Sequence, residues 1–373
     1  MLTSADCNPG RLVYNAGMPR LQKSMPTALL MMIALLPVCA LAADENPLFS
    51  SKDSFKAVLN APVMQAYRDK MKSDRLYLEG TWTQKRGEET ERLSLKIRAR
   101  GNYRRQVCDR PPLQLNFKKK QVAGTLMSGQ DKLKLVSPCE RGDKYQQLVY
   151  LEYLVYQLFA LYSDYHFRTR LVDVAYVDSD SEGALWSSHN FLIEDADHMA
   201  ARYGLQELDV PYTMRVQMDL AQTALVEVFQ FMIGNVDYST LKSPPGEECC
   251  HNIVLLAEKG AERDIIPVAY DFDSAGIINA PYATVPASLP INKVTSRYFL
   301  GWCKQESRYR DAVARINERK EAAIALFEAS PLLSRTYRKR AVKYLHDSYD
   351  YLNDEAFFER HILGKCRGEV IEG

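Results

Sequence analysis

A chain of 373 residues with 46% hydrophobic side chains is long enough to bury a substantial core, as one large domain or as two lobes. Its 48 basic and 47 acidic residues leave a formal charge of +1; the first forty-two residues hold Arg11, Arg20 and Lys23 against one acid, Asp6, so beyond them 45 bases face 46 acids. That balance argues against general nucleic-acid binding, which draws on a basic excess.

The segment Met25–Ala43 has the form of a secretory signal. Arg20 and Lys23 supply its positive start, the apolar run is too short for a comfortable span, and Ala40-Leu41-Ala42 fits the small-residue cleavage rule. Residues 1–42 are therefore read as a signal peptide, with Met18 as an alternative start and cleavage before Ala43 or Asp44. A lipoprotein pattern at Leu36-Pro37-Val38-Cys39 is the weaker alternative, because Val fits poorly before the Cys. No later apolar run approaches the roughly 20 residues of a spanning helix, so a periplasmic or secreted chain is expected. Cleavage leaves six cysteines, an even count that favours disulfides in an exported protein. Sequence does not dictate the pairing; Cys108 with Cys139 and Cys303 with Cys366 is the expected arrangement. Cys249-Cys250-His251 reads as a disulfide element before a metal site, because three consecutive residues rarely turn every ligand atom to one ion.

Residues 44–75 read as helical, since Phe55, Val58, Leu59, Val63, Tyr67 and Met71 recur at three-to-four spacing. Alternation then predicts strands over 76–82 and 93–100, a turn at Gly101-Asn102, a return over 113–118 and a short strand over 133–136. A helix over 144–162 carries Leu148, Leu151, Leu154, Val155, Leu158 and Phe159 on its buried side, and strands over 170–177 and 189–194 follow. A long helix over 213–233 ends at Gly234, a strand pair covers 253–256 and 265–270, and helices fill roughly 304–362. Strands first and helices second indicate an α+β protein of two lobes, here 43–196 and 197–373.

Three polar side chains stand out against this pattern. Asp237 sits on a loop in Gly234-Asn235-Val236-Asp237, Asn252 opens an apolar strand, and Asp271 ends another in Tyr270-Asp271-Phe272-Asp273. Phosphoryl transfer asks for such a set, with Asp237 accepting the acceptor hydroxyl's proton and Asn252 and Asp271 holding Mg²⁺ on the phosphates. Asp273, two residues on, reaches the same ion if the chain turns there, adding the hard oxygen that Mg²⁺ prefers. Each also has an ordinary reading, as a turn-capping Asp or a strand-initiating Asn. Motifs for a Ser nucleophile elbow, a zinc protease or a Walker-type loop are absent from the chain.

This order of elements, together with Arg98-Ala99-Arg100-Gly101-Asn102, Phe191-Leu192-Ile193-Glu194, the Gly234–Asp237 run and Tyr270–Asp273, resembles the CotH family of atypical kinases over roughly residues 90–300. The resemblance implies a two-lobed protein-kinase-like fold with a mainly antiparallel β-sheet N-lobe and a helical C-lobe. It also implies ATP and Mg²⁺ as cofactors, with Mn²⁺ as an alternative ion, and a protein acceptor. Lys132 and Lys134 share one face of their strand, and either could reach the nucleotide phosphates with Glu152 steadying it; Lys134 is preferred as the residue within the strand. Arg98 and Arg100 could grip phosphate from the turn, and Glu194 would begin the connector behind the adenine. Arg104, Arg105, Lys118, Lys119 and Lys120 read as charged surface. Two departures from the family pattern are visible: Tyr238-Ser239 replaces a basic pair after Asp237, and the interval to His251 is long. They support the alternative, a non-catalytic envelope binding or structural protein. AMP transfer and a small-molecule acceptor are further options.

Overall fold

Ala57, Leu59 and Ala61 are buried alternately along β1 (Phe55–Ala61), and Pro62 stops the strand before the short α1 (Val63–Arg68). This first strand decides the architecture. In the computed structural model, which describes residues 46–180, 183–243 and 249–371, β1 pairs antiparallel with β2 (Leu78–Arg86) on one side. Then come β3 (Glu89–Ala99), α2 (Tyr103–Val107), β4 (Leu113–Phe117), α3 (Lys119–Val122), β5 (Lys132–Val136), α4 (Asp143–Tyr162), β6 (Thr169–Asp178) and β7 (Ala184–Ile193). On its other side β1 runs parallel to β6, with Phe55 opposite Val172 and Ala61 opposite Asp178. The seven strands close into a barrel of order β1-β2-β3-β4-β5-β7-β6.

That closure corrects the expected fold: the structure is a closed, mixed seven-stranded barrel, not a two-lobed kinase-like fold with an open sheet. The reason is local. The three-to-four spacing across residues 55–61 predicts a helix, and without that stave the sheet would stay open. The barrel interior is filled from alternating positions, among them Trp82, Leu95, Ile97, Leu115, Leu133, Val174 and Leu192, while Arg98 and Arg100 point outward from the β3 side.

After the barrel come α5 (Ala196–Arg202), the two-residue β8 (Gln206–Glu207), α6 (Leu220–Ile233), β9 (Ile253–Ala257) and β10 (Ile266–Ala269). The last segment adds β11 (Trp302–Lys304), α7 (Glu306–Glu318), α8 (Lys320–Glu328), α9 (Arg335–Asn353), α10 (Glu355–His361) and β12 (Arg367–Ile371). Strands β8, β9 and β10 form a small antiparallel sheet. A second apolar core joins α4 to α6 and the C-terminal helices through residues such as Phe159, Phe229, Phe272 and Tyr309. The buried helix α6 is shorter than predicted because it starts at an N-cap, Asp219, whose side chain accepts from the Gln222 amide at 2.6 Å.

Cysteines pair as Cys108–Cys139 and Cys303–Cys366, and Cys249 is bonded to Cys250. These bonds fit an extracellular or periplasmic protein, and among the described residues no helix is long and apolar enough to cross a membrane. The signal-peptide and lipoprotein readings fall on residues outside those described, as does the Pro244–Glu248 run.

Gly234 ends α6 in the left-handed conformation (φ 69°), where a Cβ would collide with the Tyr344 hydroxyl, itself bound to the Thr295 carbonyl. Gly234→Ala is expected to lower unfolding free energy by roughly 2 kcal/mol. A urea titration showing an unchanged midpoint would contradict this account of the turn.

Candidate functional site

The turn at Gly234 hands the chain to a loop held from below. Buried Asn235 donates its amide to Gln230 Oε1 (3.0 Å) and accepts from the Asp237 backbone N–H through Oδ1 (3.0 Å). Asp237 is thus presented from a fixed backbone, and its carboxylate is held at both ends. His251 donates from Nε2 to Oδ1 (2.7 Å), and Asn252 donates its amide to Oδ2 (3.2 Å) and to the Asp237 carbonyl (2.6 Å).

Antiparallel pairing of β9 with β10 places the start of one beside the end of the other, with Ile253 opposite Ala269. The Tyr270 amide donates to the Asn252 carbonyl at 3.1 Å. Asn252 and Asp271 both adopt left-handed backbone (φ 53° and 59°), turning away from the ladder at the same edge. The Asp271 amide donates to the buried Tyr156 hydroxyl of α4 at 2.9 Å, which ties this loop to the barrel's helix.

Beneath lies a buried charge cluster. Arg104, in α2, donates from Nη2 to the Ser137 carbonyl at 2.7 Å. Its guanidinium stands 3.6 Å from Glu152 Oε2 and 3.6 Å from Asp273 Oδ2. Burial would lower the Arg104 pKa, but Tyr282, Asp273, Glu152 and Asp271 outweigh that and raise it. Asp273 is pushed up to about 6 by burial and by Asp271, against the pull of Arg104. Burial carries Glu152 well above the usual carboxylate range, with Arg104 opposing.

These residues surround a cavity of about 870 Å³ between the β3–β4 connection and the β8–β9–β10 sheet. Asp237, His251, Asn252, Asp271, Asp273, Arg100 and Arg104 all line it. Among the described residues no three His, Cys, Asp or Glu side chains gather closely enough to form a metal cage.

The remaining predicted residues divide. Arg100 faces the cavity, whereas Arg98 is not part of its lining and stacks on Tyr77 at 4.4 Å. Lys134 lies 4.5 Å from the centre of the Tyr270 ring, next to the cavity wall, and burial together with Arg100 pulls its pKa down to about 8. Lys132 is exposed. Glu152 pairs with Arg104 rather than with either lysine. The fully buried Glu194 carboxylate takes Arg168 and Arg202, each at 2.9 Å, and so braces the connector from inside.

Sequence reasoning missed Arg104, His251, Tyr156 and Tyr282. The sequence reads Arg104 as charged surface, yet it is buried. One signal pointed to it: Glu152 falls on the apolar side of a helix between Leu148 and Val155 and therefore needs a buried cation. No family model matches the chain, and no curated protein matches it either.

Removing one member of the buried cluster leaves the others uncompensated. Arg104→Met is expected to destabilise the fold by about 3–5 kcal/mol, which chemical denaturation measures. Folded Asp273 keeps its proton to about pH 6, whereas its ordinary value is 3.8. The folded state therefore binds the extra proton between those values, and this group's contribution to stability declines as pH rises through that window. Asp273→Asn should flatten the stability-versus-pH curve between about pH 4 and 6, a difference on the order of 2 kcal/mol; identical curves would refute the assignment.

Proposed function

We propose that this cavity is the active site of an exported phosphotransferase that passes the terminal phosphate of a nucleoside triphosphate, of the ATP class, to a hydroxyl on a protein acceptor. The observation that carries the reading is the immobilised Asp237 carboxylate, fixed by His251 and Asn252 at the wall of a cavity that also holds Asp271, Asp273 and Arg100. The reading rests on this site alone, because the barrel removes the fold-level argument.

Asp237 accepts the acceptor hydroxyl's proton as that oxygen bonds to the terminal phosphorus and the bridging P–O bond breaks, leaving the nucleoside diphosphate. His251 and Asn252 hold the carboxylate to one orientation, which lowers the reorganisation the transfer demands. Arg100, with no ion-pair partner among the described residues, offers a planar donor fork to phosphate oxygens. Arg104 keeps Asp273 in place and takes no part in proton movement.

The donor set fits a divalent cation of the Mg²⁺ kind. Asp271, Asp273 and the Asn252 amide oxygen are hard ligands, and the Asn252 nitrogen is already committed to Asp237. Among the described residues no three His, Cys, Asp or Glu side chains form a cage, so the ion would need water and substrate phosphates to complete its shell. Bound there, Mg²⁺ would supply charge neutralisation at the phosphates. Lys134, 4.5 Å from the ring of cavity-lining Tyr270, would be the further cation for a phosphate tail.

One observation favours the second reading, a non-catalytic envelope binding protein: both Asp237 oxygens are already occupied by protein donors. Transfer of label from γ-labelled ATP to the protein itself or to envelope extract separates the two. Asp237→Asn should reduce transfer by about 10²–10⁴ while leaving the Mg²⁺-ATP thermal shift in place, and Asp271→Asn should abolish that shift. Nucleotide binding without transfer, in both wild type and Asp237→Asn, would favour the binding protein.

A further inference from the structure

Outside the cavity, the outer face of the barrel gathers three arginines. Arg98 leaves β3 with its guanidinium over the ring of Tyr77, 4.4 Å from the centroid; Tyr77 directly precedes β2, whose Leu78 pairs with Ile97. Arg105, in α2, is tethered by its Nε to the Gly101 carbonyl and by Nη1 to the Lys70 carbonyl at 2.7 Å. Lys70 is tied in turn to the Cys108 carbonyl at 2.5 Å, so the segment after α1 is drawn against α2. Arg75 lies on that segment, two residues before Tyr77, with Nε and Nη1 buried and meeting no acceptor.

None of the three forms an ion pair among the described residues. The carboxylates of Asp69 and Glu79 pair with Lys72 and Lys96 instead, and Asp74, next to Arg75 in sequence, is exposed. Burial first, and neighbouring guanidinium groups second, lower the pKa of Arg75 and Arg105. Like charges brought together with buried, unsatisfied N–H groups cost free energy that an anion would relieve. Guanidinium forks match tetrahedral oxyanions, and the tethers on Arg105 and the ring under Arg98 hold two of the three in place beforehand.

We propose that Arg75, Arg98 and Arg105 form a second anion site, separate from the cavity, that takes a phosphate-type oxyanion. The oxyanion reaches it free in solution or as a lipid headgroup. The site lies beside the Gly101 turn that also presents Arg100 to the cavity, so its occupant would sit next to the nucleotide region without sharing its ligands.

Calorimetric titration of the full-length protein with inorganic phosphate tests this, alongside Arg98→Gln, Arg75→Gln and, as the cavity control, Asp271→Asn. Saturable binding that Arg98→Gln weakens at least about tenfold, and that Asp271→Asn retains, is the expected result. Co-sedimentation with phosphatidylcholine vesicles, with and without phosphatidylglycerol, distinguishes the source: arginine-dependent capture by the anionic vesicles alone identifies a lipid phosphate. Should Arg75→Gln fail to give a cooperative melt, Arg98→Gln decides by itself, since its side chain is only half-buried against the Tyr77 ring. Absence of binding to both probes, or binding unchanged by Arg98→Gln, overturns the proposal.

Discussion

A single buried guanidinium holds the site together. Arg104 belongs to the short helix after the Gly101 turn, Glu152 to the long helix α4, and Asp273 to the loop after β10. These elements are far apart in sequence and share no backbone ladder. Two carboxyl groups buried this deeply are drawn to one guanidinium, which opposes the upward pKa shift that burial gives both and fixes the distance between them. Asp271 sits two residues from Asp273, and its position follows from the same constraint.

Two further restraints act on this cluster. The Cys108–Cys139 bond closes the end of α2 onto the strand exit after β5, so Arg104 is carried on a stapled segment. Barrel closure through β1 and β6 stiffens the wall from which the Gly101 turn projects. On the opposite side, Gly234 and the Asn235–Gln230 bond give Asp237 an equally rigid base. The cavity is therefore bounded by two independently anchored walls, an arrangement that preorganises polar groups at low cost when a substrate arrives.

Much of this was legible from residue patterns, and the failures have physical causes. Helix α4 and strands β3 to β7 followed their periodicities because large apolar residues mark their buried faces. Strand β1 did not, because two of its inward positions are Ala57 and Ala61, too small to register, while outward Val58 supplied a false helical beat. The order Asp237, Asn252, Asp271 was visible and the structure brings all three to one cavity, yet their partners were not. Which cation satisfies Glu152 depends on how α2 folds under the barrel, and spacing along the chain cannot distinguish Lys134 from Arg104. His251 follows two cysteines in a run that reads as a disulfide element, so its sequence context gives no sign that its imidazole bonds Asp237 alongside Asn252.

The direct test of a nucleotide-phosphate site is crystallographic. Crystals grown with Mn²⁺ and a non-hydrolysable ATP analogue should show an anomalous peak bounded by Asn252, Asp271 and Asp273, with phosphate density reaching toward Arg100. An ion and nucleotide bound elsewhere, or a cavity filled by neither at saturating concentrations, would contradict it.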